Sequence, residues 1–357
     1  MIIIIVAGLW PFNFFAKNKV AWLQNRNGVH FHGQGQIVSA GPIGDKNAFN
    51  PEQAVSLEIR LRPLTDITNG VPGIVTFYDG SSPDYIQIGQ WKSHLEIWSR
   101  ADNPMKRKKG KLFQEIGLRD ALIKDRDILI TLTSGKAGTN IYLDGNLTRS
   151  YPKRQLIVAE AKNPIGLILG NSSSGQSYWN GYLFGLAIYS RTLAQKEVLR
   201  NCLAWQKDDL SALKALEGLA HLYALSERKG SNISDLASPG QQLIIPHYFK
   251  PVRRIILMSL PEDFHLNWST ISDIGLNVLG FIPVGFFFAL YLKKRTHLNN
   301  CTIYILIVLT GFGLSLFIEL TQAFLPTRCS EISDVICNTL GTILGVACIK
   351  LRVTGDK

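Results

Sequence analysis

The chain has 357 residues, of which 46% are hydrophobic, and a formal net charge of +11. Its length predicts two or three domains. Its mean hydropathy of +0.09 does not by itself indicate a membrane protein. The sequence shows no basic stripe interleaved with aromatic residues, so we expect no nucleic-acid partner. Its five cysteines form no C-x-x-C pair, so we expect no metal and no cofactor.

The N-terminal segment is strongly apolar. Residues Met1–Leu9 are too short to cross a ~30 Å hydrocarbon core alone. The aromatic run Trp10–Phe15 that follows is typical of a membrane-interface belt. A cleaved signal peptide is disfavoured, because no basic n-region precedes the run and no A-x-A site follows it. We interpret residues 1–15 as a partial first transmembrane segment, and leave open whether a misplaced start codon has shortened it.

The middle of the chain has the pattern of a soluble all-β domain. From Val20 to Leu203, short runs alternate apolar and polar residues between Gly, Pro, Asn and Asp, as in Val55–Leu61 and Ile128–Leu132. Such runs at regular spacing predict a β-sandwich or jelly roll. The pair Asp144-Gly145 supplies the positive φ angles of a tight hairpin turn. The basic run Lys106–Lys111 is predicted to be a solvated hairpin tip.

Two motifs in this region resemble a known family. Tyr142–Gly145 resembles the "IYVDG" hairpin of laminin-G-like, concanavalin A-like domains, and Trp179–Leu193 resembles their closing motif. The resemblance implies a concanavalin A-like jelly-roll sandwich over residues 17–204 and a glycan or envelope protein as its ligand. Gly218–Leu243 resembles the opening motif of the same family. We therefore predict that residues 205–246 form a helix and returning strands that complete the sandwich, as in a circular permutation; the alternative is an irregular linker.

The predicted sandwich has no pair of acids suited to glycoside hydrolysis. Retaining enzymes need two carboxylates about 5 Å apart, and laminarinase-type relatives supply them from E-x-D-x-E on one strand. Glu58 and Glu96 are lone strand acids without that spacing. We predict that both lie on solvated strand faces, and we assign no catalytic residue.

Three C-terminal stretches have the length and apolarity of membrane spans. They cover about residues 274–292, 302–320 and 335–351, and together predict an α-helical transmembrane bundle over residues 269–357. The third is short and rich in glycine, which favours packing inside the bundle. Residues 247–268 are predicted to be an interfacial linker, with a short helix at 255–260.

The placement of Lys and Arg predicts the orientation. Lys293-Lys294-Arg295 lies between the first two C-terminal spans, and the tail carries Lys350 and Arg352. Basic loops of this kind are cytoplasmic in most membrane proteins. We therefore expect a multi-pass protein of the cell (inner) membrane, in contact with membrane lipids, whose sandwich lies on the external or periplasmic side.

A repeated polar motif opens two of the spans. Asp273–Gly280 and Asp334–Gly341 both place Asp, Asn and Gly at positions i, i+4 and i+7, on one helix face. Glu319 and Gln322 stand near the end of the middle span, and Arg328 is the nearest candidate counter-ion. Polar residues within spans usually face the bundle interior, although helix N-capping explains the two Asp residues about equally well. The predicted intramembrane cluster consists of Asp273, Asn277, Glu319, Gln322, Arg328, Asp334 and Asn338.

This constellation resembles the VanZ-like membrane family over about Trp268–Leu351. The pattern is carried by Asp273, Asn277, Gly280–Gly285, Glu319–Gln322, Leu325–Arg328, Asp334, Asn338 and Gly341. The resemblance implies a link to envelope stress or to glycopeptide resistance, but no molecular activity. One hypothesis is a non-catalytic envelope protein with an external glycan- or protein-binding sandwich. The other is a membrane enzyme or transporter that acts on a lipid-linked envelope precursor through the Asp/Glu/Arg cluster. The absence of a full nucleophile–base set favours the first.

Overall fold

The computed structural model of the chain describes residues 2–44, 53–68, 70–101, 113–258 and 268–355. The chain divides into two compact units: a sandwich unit, Ala16–Arg253, and a helical unit formed by Met1–Phe15 with Arg254–Lys357. The basic run Lys106–Lys111, predicted to be a hairpin tip, lies outside the described residues.

The sandwich unit consists of two antiparallel sheets, which confirms the predicted all-β sandwich fold. The first sheet contains, in spatial order, β1 (Val20–Trp22), β2 (Val29–His32), β13 (Asn180–Tyr189), β4 (Val55–Pro63), β9 (Ile128–Gly135), β10 (Gly138–Leu143) and β11 (Asn146–Pro152), with β14 (Leu219–Tyr223) also paired to β13. The second contains β15 (Asn232–Ser234), β16 (Gln242–Ile244), β3 (Ile37–Ser39), β12 (Gly166–Leu169), β5 (Gly73–Tyr78), β6 (Ile86–Trp91), β7 (His94–Arg100) and β8 (Phe113–Leu118).

The core between the sheets is formed by the apolar side chains that the strands direct inward. Leu57, Ile59 and Leu61 of β4 are fully buried and pack in one apolar cluster with residues of the second sheet. Burying such side chains contributes roughly 25 cal/mol per Å² of apolar surface. The hairpin between β10 and β11 turns at Asp144 (φ 49°) and Gly145 (φ 83°), the positive angles that the sequence predicts.

The residues after β13 add helices and strands to the sandwich. Helix α2 (Gln195–Gln206) and the short helix α3 (Leu210–Lys214) pack in a second apolar cluster, which lies on the outer face of the first sheet. Strand β14 then pairs with β13, and β16 pairs with β3 while β15 pairs with β16. The segment that resembles the family's opening motif therefore contributes one strand to the first sheet and two to the second.

The two ends of the sandwich unit lie side by side. Lys17 and Tyr248 form an antiparallel bridge. The amide of Phe249 donates to the carbonyl of Ala16 at 2.7 Å. The chain thus enters and leaves the sandwich unit at one place.

The helical unit contains four helices among its described residues. They are α1 (Ile2–Leu9), α4 (Trp268–Arg295), α5 (Asn300–Gln322) and α6 (Ile332–Gly355). Three segments are long and apolar enough to cross a membrane: Ile271–Arg295, Asn300–Gln322 and Ile332–Ile349. Leu9 of α1 packs in an apolar cluster with Phe281, Leu314 and Ile318, so α1 is part of the same helical core.

Glycines allow α4 and α6 to approach each other closely. A Cβ atom at Gly341 would lie 2.2 Å from the carbonyl oxygen of Val278, and one at Gly345 would lie 2.1 Å from that of Ile282. No side chain fits at these positions, so the two helices pack backbone against backbone, as small residues permit in membrane bundles.

The segment before α4 differs from the prediction. Residues 255–258 are bends ending in a bridge, not the start of the short helix predicted at 255–260, and residues 259 and 260 lie outside the described residues. Met258 instead forms a parallel bridge with Glu331. The amide of Met258 donates to Ser330 O at 2.8 Å, and the amide of Ile332 donates back to Met258 O at 3.1 Å. These backbone hydrogen bonds join the segment to the residues at the start of α6.

Candidate functional site

Two adjoining polar cavities occupy the helical unit where α5 ends and α6 begins. The larger has a volume of about 500 Å³ and the smaller one of about 220 Å³. They share Asn277, Gln322 and Asp334 among their lining residues. The structure brings all seven residues of the predicted cluster to these cavities. The larger adds Asp273 and Arg328, and the smaller adds Glu319 and Asn338.

Glu319 faces the helical interior. Its side chain lies on α5 and is 1% exposed. Its Oε2 atom accepts a hydrogen bond from the backbone amide of Glu331 at 2.9 Å. A buried carboxylate needs such donors, because removing it from water is costly. The loop before α6 therefore helps to hold Glu319 at the cavity.

The two repeated motifs meet across the cavity. The side chain of Asn277 on α4 hydrogen-bonds Asp334 on α6. Asp273 lies one turn before Asn277 and lines the larger cavity. Helix α4 begins at Trp268 and α6 at Ile332. Neither Asp therefore occupies an N-cap position, and the N-capping explanation of these residues is wrong. Asp334 lies in the first turn of α6, where a negative charge is favoured by the helix dipole.

Asn338 carries a buried atom without a partner. The side chain is 4% exposed, and its Nδ2 donates to Ser315 Oγ at 2.9 Å. Its Oδ1 is buried and has no hydrogen-bond partner among the described residues. Gln322, by contrast, donates from Nε2 to the carbonyl of Gly8 at 2.8 Å. The smaller cavity is thus lined by a buried acceptor that the protein does not satisfy.

Arg328 makes its described hydrogen bonds to the backbone. Its Nε and a terminal nitrogen donate to the carbonyl of Trp10 at 3.2 and 2.6 Å. Trp10 follows α1 directly, where helix carbonyls lack partners within the helix. Arg328 lines the larger cavity together with Glu331 and Asp334, so the guanidinium links the chain after α1 to the acidic cavity.

An apolar groove, which no sequence pattern predicts, adjoins the polar cavities. It has a volume of about 530 Å³ and is lined by Ile3, Ile4, Gly280, Pro283, Val284, Phe287, Phe288 and Tyr291. Ile4 and Gly280 also line the smaller polar cavity. A Cβ atom added at Gly280 would meet nothing within 4 Å. The smaller polar cavity and the apolar groove therefore adjoin at Ile4 and Gly280, between α1 and α4.

The carboxylates of the helical unit are not arranged as a metal site. Within the described ranges, no three His, Cys, Asp or Glu side chains are placed to hold one metal ion. The cavity-lining Asp and Glu side chains act instead as hydrogen-bond acceptors and negative charges.

Glu58 differs from the prediction of a solvated strand face. It is fully buried, because α2 covers the outer face of β4. Its carboxylate accepts hydrogen bonds from Trp205 Nε1 at 2.9 Å, Asn201 Nδ2 at 2.9 Å and Tyr189 OH at 3.2 Å. Burial outweighs these donors and raises the pKa of Glu58 to about 7.

Glu96 is not the lone acid that the sequence predicts. It hydrogen-bonds Glu115 on the neighbouring strand, and burial together with that neighbouring charge raises the pKa of Glu96 to about 7. The pair lines an open cleft of about 850 Å³ beside β8 and β11, with Arg119, Arg149, Tyr151 and Arg154. The two carboxyl groups are hydrogen-bonded to each other, which leaves no space between them for the anomeric carbon of a sugar. A retaining glycosidase needs its two carboxylates about 5 Å apart, so the pair does not have that geometry.

Comparisons with known proteins agree with both parts of this architecture. Residues 220–353 match the family model VanZ/LLP1. Residues 119–199 match a laminin-G model of the concanavalin A-like lectin/glucanases superfamily. The chain is a membrane protein that joins a concanavalin A-like sandwich to a VanZ-like helical region. No curated protein matches the chain significantly.

Several solved structures resemble the sandwich. A candidate carbohydrate-binding protein of Bacteroides ovatus ATCC 8483 is 16% identical with a TM-score of 0.43; the match covers 66% of this chain and 62% of that protein. The CBM40 domain of the Ruminococcus gnavus IT-sialidase, bound to α2,3-sialyllactose, is 11% identical with a TM-score of 0.36, covering 49% and 95%. The binding domain of botulinum neurotoxin DC, in complex with rat synaptotagmin II, is 14% identical with a TM-score of 0.38, covering 53% and 45%. This chain thus spans less than two thirds of the first of these proteins, and likenesses at such TM-scores carry no functional argument.

Proposed function

We propose that the protein is a membrane-anchored cell-envelope protein whose helical unit binds an amphiphile. The polar headgroup occupies the acid- and amide-lined cavities, and the hydrocarbon chain lies in the apolar groove. The observation that carries the proposal is that the smaller polar cavity and the apolar groove share Ile4 and Gly280 in their linings. Small-molecule sites of this kind are concave and mostly apolar, with a few placed polar groups. The combined polar and apolar lining suits a lipid-linked envelope component.

The cost of the polar cluster supports a binding role. Ionisable residues within membrane helices are expensive and are usually kept for a function. Glu319 and Asn338 are both buried, and both line the smaller cavity. The VanZ/LLP1 match supports a role in the cell envelope, and a contribution to glycopeptide resistance is part of the proposal.

The passage at Gly280 gives a direct test. A Cβ atom at this position meets nothing within 4 Å, and we expect the longer leucine side chain to fill the junction of cavity and groove. Gly313→Leu is the matched control, because Gly313 is also an exposed helical glycine with open space around it, and it lines none of the three spaces. The probe is a phospholipid with a diazirine in its acyl chain, added to the purified full chain in nanodiscs.

Photolabelling of α1 and α4 peptides should be strong in the wild-type protein and in Gly313→Leu. It should be largely lost in Gly280→Leu, because the chain can no longer leave the polar cavity through the groove. Equal labelling of the two leucine variants would refute amphiphile binding at this place. Thermal unfolding of both variants, compared with wild type, separates blocked binding from misfolding.

We also propose that the sandwich unit lies on the external side of the membrane. The basic residues Lys293, Lys294 and Arg295 at the end of α4 support this orientation. In a variant without the natural cysteines, Ser150→Cys on the exposed strand β11 should react with a membrane-impermeant maleimide in intact cells. His297→Cys, between α4 and α5, should react only after the cells are opened. The reverse pattern would overturn the orientation.

The sandwich is proposed to bind a glycan or an envelope protein, and the cleft beside β8 and β11 is the candidate surface. Arg149, Tyr151 and Arg154 provide donors and a ring face around the Glu96–Glu115 pair. Arg149 also lies over the Tyr151 ring, with its guanidinium carbon 5.4 Å from the ring centroid. On a glycan array, Arg149→Ala should weaken any binding, whereas Lys124→Ala, an exposed residue outside the cleft, should not. Unchanged binding by Arg149→Ala would exclude the cleft.

A further inference from the structure

The charges around the polar cavities are strongly unbalanced. Among the described residues that line them, four are carboxylates: Asp273, Glu319, Glu331 and Asp334. The described residues that line the same cavities include one guanidinium, that of Arg328. Carboxylates gathered in a low-dielectric space repel one another and would repel an anionic headgroup. The imbalance therefore favours a cationic occupant.

The neutral groups around the smaller cavity indicate the same chemistry. Asn338 is more than nine-tenths buried, and its Oδ1 is an acceptor without a partner. An unsatisfied buried acceptor is destabilising, and a ligand that brings a hydrogen-bond donor removes that cost. A hydroxyl could donate to Asn338, but it would leave the carboxylates without a counter-charge. A primary ammonium brings three donors and one positive charge in a compact group.

We propose that the headgroup bound in these cavities carries a primary ammonium, so that the ligand is an amine-bearing amphiphile. This inference rests on the proposed function, because the apolar groove takes the hydrocarbon part. Glu319 and Asp334 bind the ammonium through charge-assisted hydrogen bonds, and Asn338 accepts a further one. A divalent metal fits less well, since no three described acidic, His or Cys side chains converge on one point. The same ammonium chemistry is available from a membrane lipid or from a free amine.

Competition against the photoreactive phospholipid tests the headgroup. The full chain in nanodiscs of phosphatidylglycerol is labelled in the presence of dodecylamine, dodecanol or dodecyl phosphate, which share one chain length. Dodecylamine should displace the probe at a concentration about tenfold lower than dodecanol, because charge-assisted hydrogen bonds are roughly twice as strong as neutral ones. Dodecyl phosphate should be the weakest competitor.

Three variants connect this preference to the cavity. Glu319→Gln and Asp334→Asn each keep an acceptor but remove a charge, and Asn338→Leu removes the unsatisfied acceptor. Each should reduce the preference for dodecylamine over dodecanol several-fold. Thr310→Val is the control, because the Thr310 hydroxyl bonds only the Leu306 carbonyl of its own helix among the described contacts and lines neither cavity.

Two further arms distinguish the source of the ammonium. Phosphatidylethanolamine added to the nanodiscs should displace the probe, whereas soluble ethanolamine should not, because it has no chain for the groove. Displacement by ethanolamine at a similar concentration would identify a free amine as the ligand. Displacement of the probe by Mg²⁺ alone, or equal displacement by dodecylamine and dodecanol, would overturn the ammonium inference. If labelling still depended on Gly280, amphiphile binding by the helical unit would stand. Absence of Gly280-dependent labelling would overturn both.

Discussion

Glu58 provides a quantitative test of the sandwich unit. Its carboxylate is fully buried under α2, and burial raises its pKa from the ordinary 4.5 to about 7. The folded protein therefore holds a proton that the unfolded chain releases between these two values. The stabilisation from the protonated form is fully present below about pH 4.5 and is lost as the pH rises through about 7. At 1.36 kcal/mol per pKa unit, the loss amounts to about 3 kcal/mol.

The substitution Glu58→Gln removes this pH dependence with little change of shape. The glutamine oxygen can still accept from Trp205, and the new amide group can donate to Asn201 Oδ1, which has no partner among the described residues. Wild type and variant should therefore have similar stability near pH 5. The variant should become the more stable protein near pH 7.5, by about 3 kcal/mol. For a domain of this size, that corresponds to roughly 6–12 °C in the unfolding temperature.

The assay is thermal unfolding of the full chain in detergent, followed by tryptophan fluorescence, since Trp205 reports directly on the contact with Glu58. Glu160→Gln is the control, because Glu160 is an exposed acid of the same unit. Other groups of the sandwich also titrate in this range, so the quantity to compare is the difference between wild type and variant at each pH. A difference that stays constant from about pH 5 to about pH 7.5 would refute the assignment of this titration to Glu58.

Two further predictions concern packing and a buried ion pair. Gly341→Ala should destabilise the helical unit by about 1–3 kcal/mol, because the new Cβ atom would lie 2.2 Å from a carbonyl oxygen of α4. Gly313→Ala is the control: it has open space around it and should leave the unfolding temperature in detergent unchanged. Equal unfolding temperatures for the two variants would contradict close packing of α4 and α6. Asp79→Ala should destabilise the sandwich by about 3–5 kcal/mol, since it leaves the buried guanidinium of Arg100 without its bidentate partner at 2.6 and 2.8 Å. Burial raises the pKa of Asp79, but the hydrogen bonds from Arg100 outweigh it and lower the pKa from 3.8 to about 2. The stabilisation is therefore present above about pH 4 and is lost as the pH falls towards 2. Acid unfolding is followed by circular dichroism, and identical curves for Asp79→Ala and wild type would show that the ion pair does not contribute to stability.

The sandwich fold could be predicted from the sequence because its signals are local. Strand alternation and the Asp144-Gly145 turn depend on neighbouring residues, and both occur in the structure. The burial of Glu58 could not be predicted in the same way. Alternation tells which face of β4 carries Glu58, but α2 covers that face with Asn201, which lies 143 residues further along the chain. Nothing in the local pattern identifies the element that covers an outward face.

The candidate site shows the same division. Helical periodicity places Asp334 and Asn338 on one face of α6, and both line the smaller cavity. Glu331 precedes α6 and belongs to no repeat with helical spacing, so the sequence pattern does not predict its role, although its amide donates a hydrogen bond to Glu319. The hydrogen bond between Arg328 and the carbonyl of Trp10 cannot be predicted from a local pattern either, since the two residues are 318 positions apart. The apolar groove arises from the packing of α1 beside α4, which no motif encodes.

The two ends of the sandwich unit lie side by side, which is typical of an inserted domain. Because Ala16 and Phe249 are joined by a backbone hydrogen bond, a short linker could span the distance between them if the residues in between were deleted. A host loop can accept such a module at one point without separating the elements on either side. A short glycine–serine linker could therefore replace the sandwich, and a different binding domain with adjacent termini could take its place. Such a domain exchange would leave the sequence of the helices unchanged.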